Sequence, residues 1–417
     1  GGYMAQLKDI YMALSRSIDY VDKDIGCHNK RVAYIAGCIA QCMGLSSEEI
    51  KNTVIAGSLH DIGVLKEVEF KELADFQYGN GVDHHCEMGY RLLNSCQSSQ
   101  HLAQAIRYHH VDFTSAEENI SGENIPLTSY IIHVADRVDV LINRRKDFLL
   151  QKDDVLATIK KYSGKRFDPG IVQCFEEVSA KESFWFDLQF DNIDDKIQSL
   201  IFHNLTLSLD DIHEISRLFT KIIDFRSRFT ATHSTSVANV ARELGLVLNI
   251  SKRECLMLDI AGHLHDIGKL AIPLTILEKQ GSLTKEEWII MKRHAYFTYT
   301  ILTVIDSPEF RIINEWASYH HERQDGRGYP FKITKDNLTI GSRIMAVADM
   351  FTALAEERPY RSAMDDNTIM SAMNKAKKDL LDPLIVEAIL DNYLHFKKLR
   401  AEAFRNSLKE FKEQFDF

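Results

Sequence analysis

The sequence of 417 residues contains no run of eighteen apolar residues and no Cys-x-x-Cys pair. The first absence argues against a membrane-spanning helix, and the amino terminus lacks the basic, apolar and small-residue order of a signal peptide. The seven cysteines are an odd number, which is typical of reduced thiols rather than of a disulfide framework. We therefore expect a cytoplasmic protein without a membrane partner.

Acidic residues outnumber basic ones, 60 to 50, and the formal net charge is -10. Such a charge disfavours binding to a nucleic acid polymer, because that binding neutralises many phosphates. An anionic ligand would need a local cationic site. The composition, with 45% hydrophobic and 26% charged residues, is that of a folded globular protein, and the length fits two domains.

One segment of the sequence occurs as an internal repeat. Residues 45–63 and 250–268 each contain a serine-initiated capping box and end in His-Asp-Ile-Gly. A histidine lies 32 positions before each His-Asp pair, and further histidines and an aspartate follow each pair at similar spacings. Almost nothing alternates with period two. The repeat predicts two tandem all-α domains, 4–190 and 206–417, with the aromatic and acidic stretch 184–195 near their boundary.

The second copy carries five imidazoles and two carboxylates that are candidate metal ligands: His233, His265, Asp266, His294, His320, His321 and Asp349. Imidazole and carboxylate suit divalent transition metals, and an aspartate can bridge two ions. Two neighbouring ions lower the pKa of a shared water and neutralise phosphoryl charge, so a phosphodiester is a fitting target. A lone His-Asp pair is weak evidence, but seven such residues in a repeated order favour a binuclear centre.

Four motifs of the second copy resemble the HD-GYP family of phosphodiesterases. They are His-Asp-Ile-Gly-Lys at 265–269, His-His-Glu-Arg-Gln-Asp-Gly-Arg-Gly-Tyr-Pro at 320–330, Ala-Asp-Met-Phe at 348–351 and Arg-Pro-Tyr-Arg at 358–361. The resemblance covers roughly residues 208–390. It implies a five-helix HD core and hydrolysis of cyclic di-GMP or 3′,3′-cyclic GMP-AMP to a linear dinucleotide and on to mononucleotides. It also implies iron or manganese as the metal, although this ligand chemistry would admit nickel, cobalt, zinc or magnesium.

The resemblance also implies roles for particular residues. Asp266 would bridge one metal held by His233, His265 and Asp349 and another held by the three remaining histidines, with attack of a metal-bridged hydroxide on phosphorus. The catalytic Lys269 would contact a phosphate oxygen. The implied substrate-binding residues are Lys269, Arg358, Arg361, Gly328, Tyr329 and Pro330. Glu322 and Asp325 are interpreted as carboxylates that orient metal-binding histidines.

Two positions of the second copy depart from the family pattern. Phe229 stands four residues before the first metal histidine, where trinuclear members carry a glutamate, so we expect two metals rather than three. Thr352 stands where many members have an acidic residue after the helix aspartate.

The first copy contains the same seven ligand types: His28, His60, Asp61, His85, His109, His110 and Asp136. However, Val64 replaces the lysine and no Gly-Tyr-Pro loop follows His110. The first copy is therefore predicted to be degenerate in its substrate groups. It remains open whether this half binds metal, regulates the second half, or only packs and dimerises.

The sequence is also compatible with two other functions and with two kinds of protein partner. The chain would alternatively be an HD-type nucleotide phosphohydrolase or a non-catalytic HD signalling scaffold, although the complete ligand set and loop favour catalysis on a cyclic dinucleotide. Apolar leading helices at 11–18 and 212–223 weakly favour a homodimer. The family resemblance also implies diguanylate-cyclase-type signalling partners at the Gly-Tyr-Pro loop.

Overall fold

The computed structural model describes residues 4–64, 83–114, 124–201, 205–227, 230, 232–356 and 362–415. The chain forms two compact units, Ile18–Leu205 and a second unit that combines Gly1–Ser17 with Thr206–Phe417. The all-α prediction is confirmed, since helices dominate both units. In the part of the chain described, the one sheet is a two-residue antiparallel pair of β1 (Ala5–Gln6) and β2 (Thr206–Leu207).

The first unit is built from short and medium helices around one core. Helix α1 (Leu7–Val21) runs across the boundary between the units. The other helices of this unit are α2 (Lys23–Cys42), α3 (Ser47–Leu59), α4 (Asp83–Asn94), α5 (Gln100–Arg107), α6 (Leu127–Leu141), α7 (Lys152–Lys161), α8 (Pro169–Ser179), α9 (Glu182–Gln189) and α10 (Asp194–Ile201).

The second unit repeats this order of helices. Its helices are α11 (Leu209–Arg226), α12 (His233–Val247), α13 (Lys252–Leu264), α14 (Leu274–Leu277), α15 (Lys285–Leu302), α16 (Pro308–Ser318), α17 (Ile340–Ala355), α18 (Asp366–Ala376), α19 (Pro383–Asp391) and α20 (Tyr393–Phe415). Helices α12, α13, α15, α16 and α17 correspond to α2–α6 of the first unit. In each unit these five helices surround the predicted ligands.

The domain limits differ from the sequence-based division in two places. Residues 4–17, assigned to the first domain from sequence, belong to the second compact unit. The stretch 184–195, which the sequence placed near the boundary, lies inside the first unit: Phe184 and Trp185 of α9 are buried, and Phe184 stacks on Tyr34 at 5.8 Å between ring centroids. The aromatic residues of this stretch complete the first core, so the change of unit comes later, between Leu205 and Thr206.

Both His-Asp pairs lie at helix ends, as predicted. Helix α3 ends at Leu59 and α13 at Leu264, so His60 and His265 occupy equivalent capping positions. The last carbonyls of a helix have no partner within the helix. The Nδ1 atoms of His60 and His265 meet this need by donating to the carbonyl oxygens of Gly57 at 2.7 Å and Gly262 at 2.6 Å.

A helix that crosses a lipid bilayer needs about 20 mainly apolar residues. Within the described residues, no helix is both long enough and apolar enough to span a membrane.

Candidate metal centre

The seven predicted ligands of the second unit come together although they are spread over 117 positions of sequence. Asp266 lies between two groups of histidines. Its Oδ2 is 3.3 Å from His265 Nε2 and 3.8 Å from His233 Nε2, and its Oδ1 is 3.4 Å from His294 Nε2 and 3.8 Å from His320 Nε2. Each carboxylate oxygen therefore faces a different pair of imidazoles, which is the arrangement that a bridging ligand needs.

Asp349 closes the site from the opposite side. Its Oδ1 lies 2.8 Å from His233 Nε2 and 3.5 Å from His265 Nε2, while its Oδ2 lies 3.9 Å from His321 Nδ1. His321 also packs edge-on against His294, with ring centroids 5.0 Å apart. The seven residues thus form one continuous cluster.

Backbone carbonyls fix the tautomers of three histidines. His265, His294 and His320 each donate from Nδ1 to the carbonyl oxygen three residues earlier, at 2.6 to 2.7 Å. Their Nε2 atoms are left unprotonated in the neutral ring, and a neutral imidazole nitrogen is a metal ligand. The Nε2 of His265 is fully buried and makes no hydrogen bond to any described residue. Such a donor set fits divalent metal ions.

A glycine lets the third histidine reach the centre. A side chain on Gly268 would overlap His294 O and lie 2.5 Å from Thr298 N, so only glycine allows the turn after Asp266 to lie against α15. Thr298 joins the two segments by accepting a hydrogen bond from Gly268 N at 3.0 Å and donating one to His265 O at 2.9 Å. Gly63 makes the equivalent close approach to His85 in the first unit.

Burial and close charged neighbours shift the pKa values of the residues in this centre. Burial lowers the pKa of His233, but the carboxylates of Glu356 and Asp349 outweigh it and raise that pKa to about 10. Burial and the neighbouring His265 lower the pKa of His320 to about 3. Burial alone would raise the pKa of Asp266, yet His265 and Lys269 hold it well below its usual range.

Lys269 lies at the centre, where the family resemblance places it. Its Nζ is 2.7 Å from Asp266 Oδ2, and its side chain also lines a cavity of about 480 Å³ beside the metal cluster. The ammonium is therefore placed to donate a hydrogen bond to a phosphate oxygen of a ligand bound in this cavity.

Two carboxyl groups next to His233 were missed by sequence reasoning. Glu356 accepts a hydrogen bond from His233 Nδ1 at 2.9 Å, and it lies two helical turns beyond Asp349, on the same helix side. Asp224 is buried, and burial raises its pKa well above the usual range. The seven-residue spacing from Asp349 to Glu356 could have predicted this contact, because it places both residues on one side of a helix. Sequence reasoning instead compared Thr352, one turn earlier, with the family pattern.

The first unit explains the Thr352 departure. There, His28 Nδ1 donates to Asp139 Oδ2 at 2.7 Å, and Asp139 follows Asp136 by three positions, as Thr352 follows Asp349. In the second unit this supporting carboxylate has moved one turn along the chain, to Glu356.

The Gly-Tyr-Pro loop forms one wall of the cavity. Tyr329 stacks on His321 with ring centroids 4.7 Å apart and meets Trp288 edge-on at 6.2 Å. Trp288 is a further cavity residue that sequence reasoning missed; its spacing from Met291 and His294 puts all three on one face of α15. Arg358, Arg361 and Phe229 lie outside the described residues.

The interpretation that Glu322 and Asp325 orient metal-binding histidines is wrong. Glu322 accepts hydrogen bonds from the backbone amides of Phe331 at 2.6 Å and Ile333 at 3.0 Å. Asp325 binds Arg327 within the loop. Both carboxylates hold the loop itself, because its irregular backbone leaves amide groups that no helix satisfies.

The first unit assembles its seven residues in a similar way. Asp61 Oδ2 lies 3.2 Å from His60 Nε2, Asp61 Oδ1 lies 3.5 Å from His85 Nε2, and His28 Nε2 lies 3.1 Å from Asp136 Oδ1. His109 and His110 are buried beside them. The seven first-copy candidates therefore also form one cluster.

Comparisons with known proteins agree with these two clusters. Models of the HD domain match residues 25–141 and 217–385. The 3′3′-cGAMP-specific phosphodiesterase 1 of Vibrio cholerae is 32% identical over 408 residues, which cover 94% of this chain and 93% of that protein. The chain belongs to the HD-GYP family.

A further relative of this HD-GYP protein matches one part of it, and a solved structure matches nearly all of it. The cyclic di-GMP phosphodiesterase response regulator RpfG of Xanthomonas campestris is 34% identical over 191 residues, 45% of this chain and 50% of that protein. A crystal structure of a cyclic GMP-AMP specific phosphodiesterase of V. cholerae (V-cGAP3) superposes with a TM-score of 0.61 and 24% identity, covering 93% of this chain and 97% of that one. This last likeness shows a shared fold.

We expect Glu356→Gln to weaken metal binding by roughly ten- to a hundredfold, because the amide supports the His233 ring less well than a carboxylate does. Competition with a chelator measures this directly in the full-length HD-GYP protein. Glu243→Gln is a matched control, since Glu243 binds the exposed His395 away from the cluster. Equal metal affinity in wild type and Glu356→Gln would show that Glu356 does not support the centre.

We expect Gly328→Ala to lower kcat/KM by about a hundredfold, which is the scale of effect for small displacements of binding groups. The new side chain would overlap His321 O and lie 2.5 Å from Arg323 N, and backbone atoms cannot move aside. Tyr329 would then lose its stacking contact with His321. Asp336→Ala, at an exposed position shortly after the loop, is expected to keep its activity; equal rates for both variants would contradict this role of Gly328.

Proposed function

We propose that this HD-GYP protein is a metal-dependent phosphodiesterase whose substrate is 3′,3′-cyclic GMP-AMP, and that residues 206–417 carry the reaction. The observation that carries the substrate choice is the match along both halves to a relative named as specific for 3′3′-cGAMP. The relative from Xanthomonas that is named for cyclic di-GMP matches less than half of the chain.

The cavity of the second unit is consistent with a cyclic dinucleotide. Its lining includes ligand candidates of the metal centre and Lys269, and it also includes the aromatic and apolar residues Trp288, Tyr329 and Leu283. Purine bases stack on aromatic rings, whereas phosphates need cations. About 480 Å³ is within the usual range for small-molecule sites.

We assign the metal ligands as the sequence predicted. His233, His265 and Asp349 would hold one ion, and His294, His320 and His321 the other, with Asp266 between them. When bound, two such ions activate a water and neutralise phosphoryl charge. Iron or manganese is the proposed metal, and the expected product is the linear dinucleotide, with mononucleotides after a second cut.

The protein groups have separate tasks in this proposal. Asp266 and Asp349 provide the negative charge that balances the metals. Lys269 meets the developing charge on a non-bridging phosphate oxygen, where a fixed cation lowers the barrier. Tyr329 covers the site and limits the access of bulk water.

The first unit is assigned a non-catalytic role. Val64, in place of lysine, is buried and apolar. Arg137 donates to Asp136 Oδ2 at 2.7 Å, whereas Met350 follows the equivalent Asp349. A guanidinium already neutralises the carboxylate that a second metal would need. The predicted homodimer and diguanylate-cyclase-type partners stay predictions.

Hydrolysis of 3′,3′-cyclic GMP-AMP and cyclic di-GMP, measured side by side with Mn(II) or Fe(II), tests the proposal. Faster turnover of the mixed dinucleotide, with linear product resolved by chromatography, is the expected result. Faster turnover of cyclic di-GMP would overturn the substrate and keep the enzyme class. Cleavage of simple nucleotides alone would support an HD-type nucleotide phosphohydrolase, and no cleavage with any metal would support the scaffold.

A further inference from the structure

The first unit contains a thiol that the second unit lacks. Cys86 directly follows His85, at the position that Ala295 occupies after His294. Its side chain is buried, and its Sγ lies 3.6 Å from His85 Nε2, 3.6 Å from His109 Nδ1 and 3.9 Å from His109 Nε2. The two Nε2 atoms are 3.3 Å apart.

The two imidazoles are spaced as ligands of a single ion. Tetrahedral zinc has bonds of about 2.0–2.1 Å to histidine nitrogen and about 2.3 Å to cysteine sulfur. That geometry places two nitrogens about 3.3 Å apart and a nitrogen about 3.6 Å from a sulfur. The Nε2 atoms of His85 and His109 match this pattern. Cys86 Sγ lies beside the His109 ring, so a rotation about its Cα–Cβ bond would bring the sulfur to the same ion.

A fourth donor is already in place. Asp61 Oδ1 lies 3.5 Å from His85 Nε2 and 3.9 Å from His109 Nε2. The Nδ1 of His109 donates to Ile106 O at 2.5 Å, which leaves its Nε2 unprotonated in the neutral ring. Two imidazoles, one thiol and one carboxylate thus converge in a buried volume.

The opposite half of this cluster is less able to hold a cation. Asp136 binds the buried guanidinium of Arg137 through Oδ2, with Nη2 at 2.7 Å and Nε at 3.2 Å. Arginine keeps its charge at every working pH. A second metal beside Asp136 would meet this positive charge at short range in a poorly screened interior.

We propose that the first unit of this protein binds one zinc-type divalent ion through Cys86, His85, His109 and Asp61, in a thiolate-containing centre distinct from the catalytic centre. Thiolate ligation favours a borderline or soft ion over the hard ions suited to nitrogen and oxygen ligands. The two units would therefore bind different metal ions. This inference does not depend on the substrate proposed for the second unit.

Cobalt(II) substitution of the full-length protein tests this directly. A thiolate bound to cobalt gives a near-ultraviolet charge-transfer band, and the seven proposed ligands of the second unit include no thiol. We expect metal-depleted wild-type protein to develop this band on titration with Co(II). Cys86→Ala, which reproduces the alanine of the second unit, should lose the band together with about one bound ion per chain.

Three further variants make the result interpretable. Cys96→Ala removes another buried cysteine of the same unit and should keep the band. Asp266→Ala damages the second centre and should keep it too. Cys86→Ser, checked for folding by circular dichroism, repeats the test without a change in size. Absence of the band in wild type, or its persistence in Cys86→Ala, would overturn the proposal.

Discussion

Asp266→Ala is expected to reduce hydrolysis of the cyclic dinucleotide by about a thousandfold or more, because metal stabilisation of a phosphoryl transition state is worth several kcal/mol. Asp266 is the one carboxylate whose two oxygens face both pairs of histidines. Its loss removes the shared ligand and leaves both groups of imidazoles incomplete. Rate measurement and metal analysis of the same preparation test this expectation.

The internal repeat provides the matched control. Asp61→Ala makes the same change at the equivalent position of the first unit, where Val64 and the missing loop argue against catalysis. This variant should retain most of the wild-type rate. A comparable loss in Asp61→Ala would mean that the first unit takes part in turnover, and an active Asp266→Ala would remove the proposed site altogether.

Lys269→Ala is expected to lower kcat by about a hundred- to a thousandfold with a smaller change in KM, as for a group that acts mainly on transition-state charge. Lys269 Nζ lies 2.7 Å from Asp266 Oδ2, so an alternative is that this lysine only holds the aspartate in place. Metal content separates the two roles. A catalytic lysine leaves the bound metal unchanged, whereas a purely positioning lysine lowers it.

Two further variants complete the Lys269 experiment. Lys269→Arg keeps the positive charge and should recover part of the lost rate. Lys285→Ala removes an exposed lysine at the start of α15 and should behave as wild type. A Lys269→Ala protein with full activity would contradict any direct role in the reaction.

The sequence alone identified the duplicated helical architecture, because its evidence is local and repeated. Capping serines, apolar helical spacing and a His-Asp pair at the same distance from an upstream histidine recur in both halves. All seven ligand candidates of the second unit lie in one cluster, and Lys269 lies beside them. Short motifs sufficed here because each ligand lies at a fixed point of a helix.

Other features depend on contacts between distant segments, which sequence spacing does not encode. Glu356 supports His233 from 123 positions away, and Cys86 meets His109 across 23 positions. Glu322, expected to orient a histidine, holds the loop instead because only tertiary packing shows which amides lack partners. The sequence determined which chemical groups each unit possesses, and the tertiary structure decided which of them are in contact. The physical reason is that a buried charged or polar group costs free energy unless it has a partner, and the fold determines which partners are within reach.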